Sequence, residues 1–502
     1  NVATEMRLIT ALLPFMIIAD TFAQILSKGI TYSAEVSSSF SDGAYAPFWF
    51  SANKYGLSSV ESNSGYMRFS LERSFENDSS RSVGLAYGVD FACQVNNTSV
   101  FSVHQLYAGL EYRKLRLTLG ACRQPLEIKN EELSMGDMTY GINSRPIPQF
   151  RVELKEWAVP YTNGWLGING HLSYGWFTDS HWQRVFTSTS GSVHSENSKF
   201  HSKAAYITIG KPSVFPLSFK AGVHFCCQFG GESWNMGRRL DDTSSFSGDY
   251  ADMDDGLSGY WHAFFPGGRD ATDGDYDNAE GNHLGSYQVS LTYSAKDVNL
   301  KLYAEHFFED HSQMFLQYDW KDFLLGVECE IPHGTLVHNI LYEYLGTYDQ
   351  TGSVYHARPS NLPIQISGAD YYYNHSIYGA WQHWGMSIGN PLLLSPIYNA
   401  NGALRCYYNR VGAHHFAMSG SPSSSWSYRL MFTHLRTLGT YNKPSFNPVY
   451  GNFFYAEMTC SPSLFRGWRF TAAVGTNGGE LIGNSKGITL SVSKSGWLTR
   501  RY

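Results

Sequence analysis

From about residue 30 to the C-terminus the chain repeats one pattern, apolar residues at every second position with small or polar ones between. Its cleanest copy is residues 83–94, where Val83, Leu85, Tyr87, Val89, Phe91 and Cys93 alternate with Gly84, Ala86, Gly88, Asp90, Ala92 and Gln94. A period of two is that of a β-strand, so one face of this ribbon is apolar and the other small or polar. Such a strand suits a transmembrane β-barrel, with lipid outside and water or polar packing inside. Taken alone it suits a soluble sandwich equally. Comparable segments are predicted at 30–40, 67–71, 103–112, 115–120, 150–157, 165–177, 200–210, 217–229, 298–305, 314–320, 323–330, 336–345, 404–418, 426–438, 453–460, 468–475 and 488–493. Roughly 16 to 20 strands are expected, a range compatible with one large antiparallel barrel.

Four stretches break the alternation. Residues 45–56 carry the consecutive aromatics Phe48, Trp49 and Phe50 after Pro47, and should pack on both sides as a short helix or a plug at one mouth. Residues 123–149 include Pro146 and Pro148, which a central strand does not accept, and read as a long loop that folds inward. Residues 230–281 form the longest unpatterned region and are heavily acidic, while 350–391 are rich in tyrosine. Long connections on one side and tight ones such as Arg113-Lys114 on the other are a barrel trait.

Composition favours the membrane alternative. Hydrophobic residues make up 43% of the chain and charged residues 16%, against about 25% charged in ordinary soluble domains. The 34 tyrosines and 48 glycines fit aromatic girdles at two interfaces and small residues in a barrel wall. A net charge of −6 supplies no basic stripe for nucleic acid. Met6-Arg7, the apolar run 8–19 and Thr21-Phe22-Ala23 read as a signal peptide over residues 1–23, which leaves 24–502 as one barrel domain. Seven scattered cysteines, with no metal-ligand spacing, read as wall residues.

Four motifs stand out: Tyr45-Ala-Pro-Phe-Trp-Phe-Ser-Ala-Asn-Lys-Tyr-Gly56, Ser134-Met-Gly with Asn143-Ser-Arg-Pro-Ile-Pro148, Gly281-Asn-His-Leu-Gly-Ser286 and Asn409-Arg-Val-Gly-Ala-His-His415. In these the chain resembles the Wzi family of capsule assembly proteins in the form found in Bacteroidetes. The resemblance runs over nearly the whole mature chain. It implies an all-β outer-membrane barrel of about 18 strands with short helical segments at the periplasmic mouth; residues 48–60 and 392–401 are the helical candidates. It also implies a monomeric, lectin-like, non-catalytic protein of a Gram-negative outer membrane. Its partners would be capsular or other surface polysaccharide and outer-membrane lipid, without cofactor or nucleic acid. A porin passing small solutes or oligosaccharides is the alternative.

Candidate glycan contacts follow from chemistry, since carboxylates accept hydrogen bonds from sugar hydroxyls and aromatic rings stack on sugar faces. In the acidic loop these are Asp252, Asp254, Asp255, Tyr260 and Trp261; in the Tyr-rich segment they are Tyr372, Trp381 and Trp384. Solvated loop or packing roles suit the same residues. Arg145 and Arg151 are expected to line the lumen. Asp273-Gly-Asp-Tyr-Asp277 resembles the front of a calcium loop, but Asn278 and Leu284 stand where an EF-hand needs Gly and Glu; no metal is assigned. His414 and His415 are adjacent on a predicted strand and so face opposite ways, which favours structural roles. No GxSxG, HExxH or P-loop motif is present.

Overall fold

A computed structural model describes residues 28–78, 81–236, 250–267, 280–309, 314, 320–334, 336–350 and 370–499. The expected signal peptide, most of the segment predicted at 314–320 and Asp273 to Asp277 lie outside them.

An 18-stranded antiparallel sheet closes on itself. Its strands are β1 (Thr31–Tyr45), β2 (Glu61–Arg73), β3 (Val83–Val95), β4 (Phe101–Tyr112), β5 (Leu115–Ala121), β6 (Gln149–Ala158) and β7 (Leu166–Trp176). After a short β8 (His194–Glu196) outside the wall come β9 (Lys199–Gly210) and β10 (Leu217–Phe229), and after β11 (Gly231–Trp234) and β12 (Tyr250–Met253) come β13 (Asn282–Ser294), β14 (Asn299–Glu309), β15 (Phe323–Glu330) and β16 (Asn339–Gly346). Two-residue strands β17 (Asn374–His375), β18 (Gly379–Ala380), β19 (Gln382–His383) and β20 (Met386–Ser387) precede the last five wall strands. These are β21 (Val411–Ser423), β22 (Trp426–Gly439), β23 (Pro444–Cys460), β24 (Trp468–Gly479) and β25 (Ser485–Trp497). β25 pairs with β1 from Thr31↔Trp497 to Ser41↔Gly487, and this seam removes both sheet edges.

The outward faces are those the alternation picked out. In β3, residues of the series Val83, Leu85, Tyr87, Val89, Phe91 and Cys93 are exposed or half-exposed, whereas Gly84, Ala86, Gly88, Asp90, Ala92 and Gln94 are buried. Tyr112, Trp157, Trp165, Tyr293, Trp426, Trp468 and Trp497 are exposed near the end carrying the short turns, and Phe101, Trp176 and Tyr450 near the other, as aromatic girdles at two interfaces would be. Turns 74–82, 113–114, 159–165, 211–216, 295–298, 331–338, 424–425 and 461–467 share one mouth with both termini of the sheet. Segments 46–60, 122–148, 177–198, 230–281 and 347–410 open from the other mouth. Short periplasmic turns and longer extracellular loops orient such barrels.

Three of the long connections fold back into the lumen. The first holds α1 (Phe48–Ser51), which Pro47 starts at no cost because a first-turn N–H needs no partner. Phe48 stacks on Phe453 at 4.5 Å between centroids, and Trp49 donates its indole N–H to Thr433 Oγ1 (3.1 Å). Segment 122–148 is tied to the wall by two buried carboxylates. Glu343 accepts from Ser134 Oγ and Met135 N, both at 2.7 Å, and from Tyr303 Oη at 2.6 Å. Glu305 accepts from Met138 N (3.1 Å) and pairs with the buried Lys129, whose Nζ also meets Asp137 at 2.9 Å. Burial works against the ammonium, but Asp137, Glu305 and Glu343 hold its pKa above the ordinary lysine value. His415 faces this plug and bonds Leu133 O and Thr433 Oγ1, while His414 faces outward to Tyr342 Oη, so the adjacent pair does separate.

Three expectations need correction. Helix does form in both candidate segments, as α1 within 48–60 and a 3-10 turn, Pro396–Tyr398, within 392–401, but at the other mouth: with α2 (Ser180–Phe186) and α3 (Leu257–Phe264) they belong to the long connections, where chain is available to coil, and among the described residues the short-turn mouth holds one 3-10 turn, Phe75–Asp78. Residues 404–410 belong to the inner layer, not to a strand, because β21 starts at Val411. β13 was not expected at all. In its upper half Leu284 points inward to the plug, and Gly285 points outward beneath Phe308, so the period-two signal is inverted there.

A lysine at Val89, which faces outward on β3, is expected to cost about 2 to 4 kcal/mol near the bilayer midplane, measured as Val89→Lys by reversible urea folding into lipid vesicles. Lys129→Met, which leaves Glu305 buried without its counter-charge, is expected to cost about 3 to 5 kcal/mol. Its signature is new protease cleavage within 122–148 while the barrel keeps its heat-modifiable migration.

Candidate functional site

Above the plug, the long-loop mouth presents an aromatic and amide cleft. α2 projects Trp182 and Phe186 from one side, their rings stacked 4.6 Å apart and 18° from parallel. The helix is set by Asp179, whose carboxylate accepts from Gln183 Nε2 (3.0 Å) and from Trp384 N (2.9 Å), linking α2 to the inner layer. Gly385 follows in the left-handed region at φ +83°, and a Cβ there would lie 2.7 Å from the Trp182 ring. Only glycine fits both constraints, so the indole rests directly on backbone.

The stack borders a cavity of about 370 Å³ lined also by Ile397, Glu61, Asn96, Asn97 and Thr98. Asn97 Nδ2 is anchored on Leu57 O (3.2 Å) and its Oδ1 receives Thr98 N (2.8 Å). Glu61 is exposed. Ring faces beside amides and a carboxylate offer both apolar and hydrogen-bonding contact to a hydroxyl-rich ligand. The sequence reading passed over Trp182 and Phe186. Their spacing of four on a helix was the available signal, but their segment lacked the acidic or tyrosine enrichment that drew notice elsewhere.

The predicted residues scatter. Tyr372 and Trp381 are each 0% exposed: Tyr372 packs edge-on to Phe307, and Trp381 donates to Thr139 O at 2.9 Å. They are core of the plug, a correction to their expected place in a glycan platform, because a ring enclosed on both faces has none left for sugar. Trp384 is half-buried beneath the cleft, with the Arg145 guanidinium 4.5 Å over its ring. Arg145 itself is buried in the inner segment rather than on the wall, donating to Thr98 Oγ1 (2.9 Å) and Gln94 Oε1 (3.3 Å). Burial lowers its pKa to about 10. His383, bonded to Arg145 O and Thr178, is likewise pushed down by burial. Arg151 does face the lumen, beside Glu153 at 3.4 Å.

The acidic-loop residues lie on the barrel's flank. α3 packs against the outer wall, where Tyr260 meets Tyr174 and Phe229, both outward-facing on β7 and β10. Asp254 Oδ1 accepts Gly256 N (2.8 Å) at the start of α3, Asp255 pairs with Lys199 (2.8 Å), and Asp252 is exposed on β12. The opposite stripe of α3 is Leu257, 91% exposed, and Trp261, 62% exposed, continued by Phe265. This i, i+4, i+8 row beside a lipid-facing wall is the arrangement of an interfacial helix, so Tyr260 and Trp261 do not join the cleft.

No known family model matches the chain, and no curated protein matches it in sequence. Solved structures do. One is Wzi of Escherichia coli, described as an outer-membrane protein involved in group 1 capsule assembly and a carbohydrate-binding β-barrel. It has a TM-score of 0.54 at 13% identity over 94% of this chain and 86% of that one. Pseudomonas aeruginosa OccK5 (TM-score 0.48, 8% identity, 94% and 99% covered) and OccK3 (0.46, 11%, 95% and 99%) are more distant. The protein has the fold of an outer-membrane β-barrel. At 13% identity the likeness to Wzi is one of fold.

In lipid vesicles the amides of α3 are expected to exchange hydrogen slowly. The double variant Leu257→Asp/Trp261→Asp should speed that exchange about ten-fold as the helix loses its lipid contact, read by mass spectrometry on the peptide spanning α3.

Proposed function

We propose that this barrel holds capsular or other surface polysaccharide at its long-loop mouth, without catalysis, in the outer membrane of a Gram-negative bacterium. The filled lumen carries this reading. Side chains from 46–60, 122–148 and 370–409 pack against the inner wall into one buried cluster, so the accessible chemistry is moved to the mouths. The cleft framed by Trp182 and Phe186 then supplies stacking faces and hydrogen-bonding groups suited to sugars. The fold shared with a barrel described as carbohydrate-binding and involved in capsule assembly adds support.

The transport reading makes the opposite demand, a water-filled path. In planar bilayers the purified barrel is expected to show no steady open conductance; a large, stable one would overturn the retention role. In cells, loss of the gene should release polysaccharide into the medium while synthesis continues, and Trp182→Ala/Phe186→Ala should reproduce the release in a folded barrel. Unchanged surface polysaccharide in both strains would count against the proposal.

A further inference from the structure

Below the plug, toward the short-turn mouth, lies a second cavity of about 350 Å³ whose chemistry differs from that of the cleft above. Its cations are Lys54 from the plug and Arg68, Arg123, Arg429 and Arg469, against the carboxylates of Glu35 and Glu457. Asp90, behind the wall surface, engages Arg68 (2.5 Å) and Arg123 (3.3 Å), and Glu457 engages Arg429 (3.1 Å). Lys54 and Arg469 form no ion pair among the described residues, so the space keeps a positive surplus.

Three polar atoms at this boundary are buried without a hydrogen-bond partner: Arg123 Nε, Arg429 Nε and Asn53 Oδ1. Polar groups buried without a partner, here two guanidinium donors and one amide acceptor, cost free energy, so the wall of this space is not fully satisfied by the protein itself. The wall between the cations is a field of hydroxyls, Ser37, Thr459, Thr471, Thr489 and Ser491, and the rings of Tyr55, Tyr66 and Tyr455 border the same space. The cavity is of the size that encloses a small ligand. It shares Arg429, Glu457, Thr459 and Arg469 with an adjoining space lined by His338, Ser421 and Ser461, at the turns, so it is open to the short-turn side.

Hydroxyls and ring edges without charge would suit a neutral sugar, and cations alone a bare anion. We propose that this vestibule is a binding site for an acidic saccharide, its carboxylate held by Lys54 and Arg469 and its hydroxyls by the Ser and Thr field. It is separate from the cleft at the opposite mouth, and it would take an acidic chain or its repeat on the periplasmic side. Lys54 sits over the Tyr455 ring at 5.7 Å and faces Arg429, Glu457, Glu35 and Glu132; burial and then Arg429 lower its pKa to about 8. Its charge is therefore lost within an accessible pH range.

The test is calorimetric titration of the detergent-purified full barrel with digalacturonate. Saturable binding is expected at pH 7, weakening several-fold by about pH 9 as Lys54 loses its proton. Lys54→Met/Arg469→Gln, which removes no ion pair of the described residues, should weaken binding about ten-fold or more while heat-modifiable migration and Trp182→Ala leave the two sites distinguishable. Lactose at equal concentration should give no heat of binding. Equal affinity in the double variant, or equal binding of lactose, would overturn the site. Displacement of digalacturonate by inorganic phosphate as effectively as by galacturonate would overturn its assignment to a saccharide.

Discussion

Everything in this molecule follows from the seam between β25 and β1. In hydrocarbon an unpaired backbone N–H or C=O finds no water, so a sheet that enters lipid must have no edge. The seam runs in register from Thr31↔Trp497 to Ser41↔Gly487 and closes the ring of 18 strands. Closure then dictates which side chains go where. Every second residue meets lipid, whatever its neighbours in sequence, and the remainder turn toward a common interior.

A ring this wide leaves more interior than wall side chains fill. The molecule fills it with its own connections, and the contacts are of two kinds. α1 brings aromatic mass, with Phe48 on Phe453 and Trp49 against His415. Segment 122–148 brings polar groups that satisfy Glu305 and Glu343, carboxylates that would be costly in the wall alone. Wall and plug are complementary: Glu305 and Glu343 of the wall are met by groups of the plug, and Lys129 of the plug is met by Glu305 of the wall as well as by Asp137 beside it.

The plug also divides the lumen into two chemistries. Its upper surface supplies Gly385, on which Trp182 rests, and so shapes an aromatic and amide cleft. Its lower surface supplies Lys54 to a cationic, hydroxyl-lined vestibule. One buried cluster thus sets the geometry of both faces, and a change that loosens it would be felt at either mouth.

The sequence by itself determined the barrel class and, β13 apart, the wall strands with their outward faces, because lipid acts on each strand separately and leaves a period of two in the residues themselves. It also marked 45–56 and 123–149 as chain that packs rather than spans. Only the tertiary structure decided what those segments touch. Lys129 meets Glu305, Trp381 meets Thr139, and Tyr373 O–H reaches Met138 O across distances in sequence that carry no periodic signal. For the same reason Tyr372 and Trp381, promising as rings in a list, are core, and β13 escaped notice where Leu284 turns inward to the plug and Phe308 rather than lipid covers Gly285. Trp182 and Phe186 became a site only when folding set them beside Asn97 and Ile397. Lipid imposes its pattern locally, whereas a plug and its clefts are made by pairs of residues that the chain brings together only once the ring has closed.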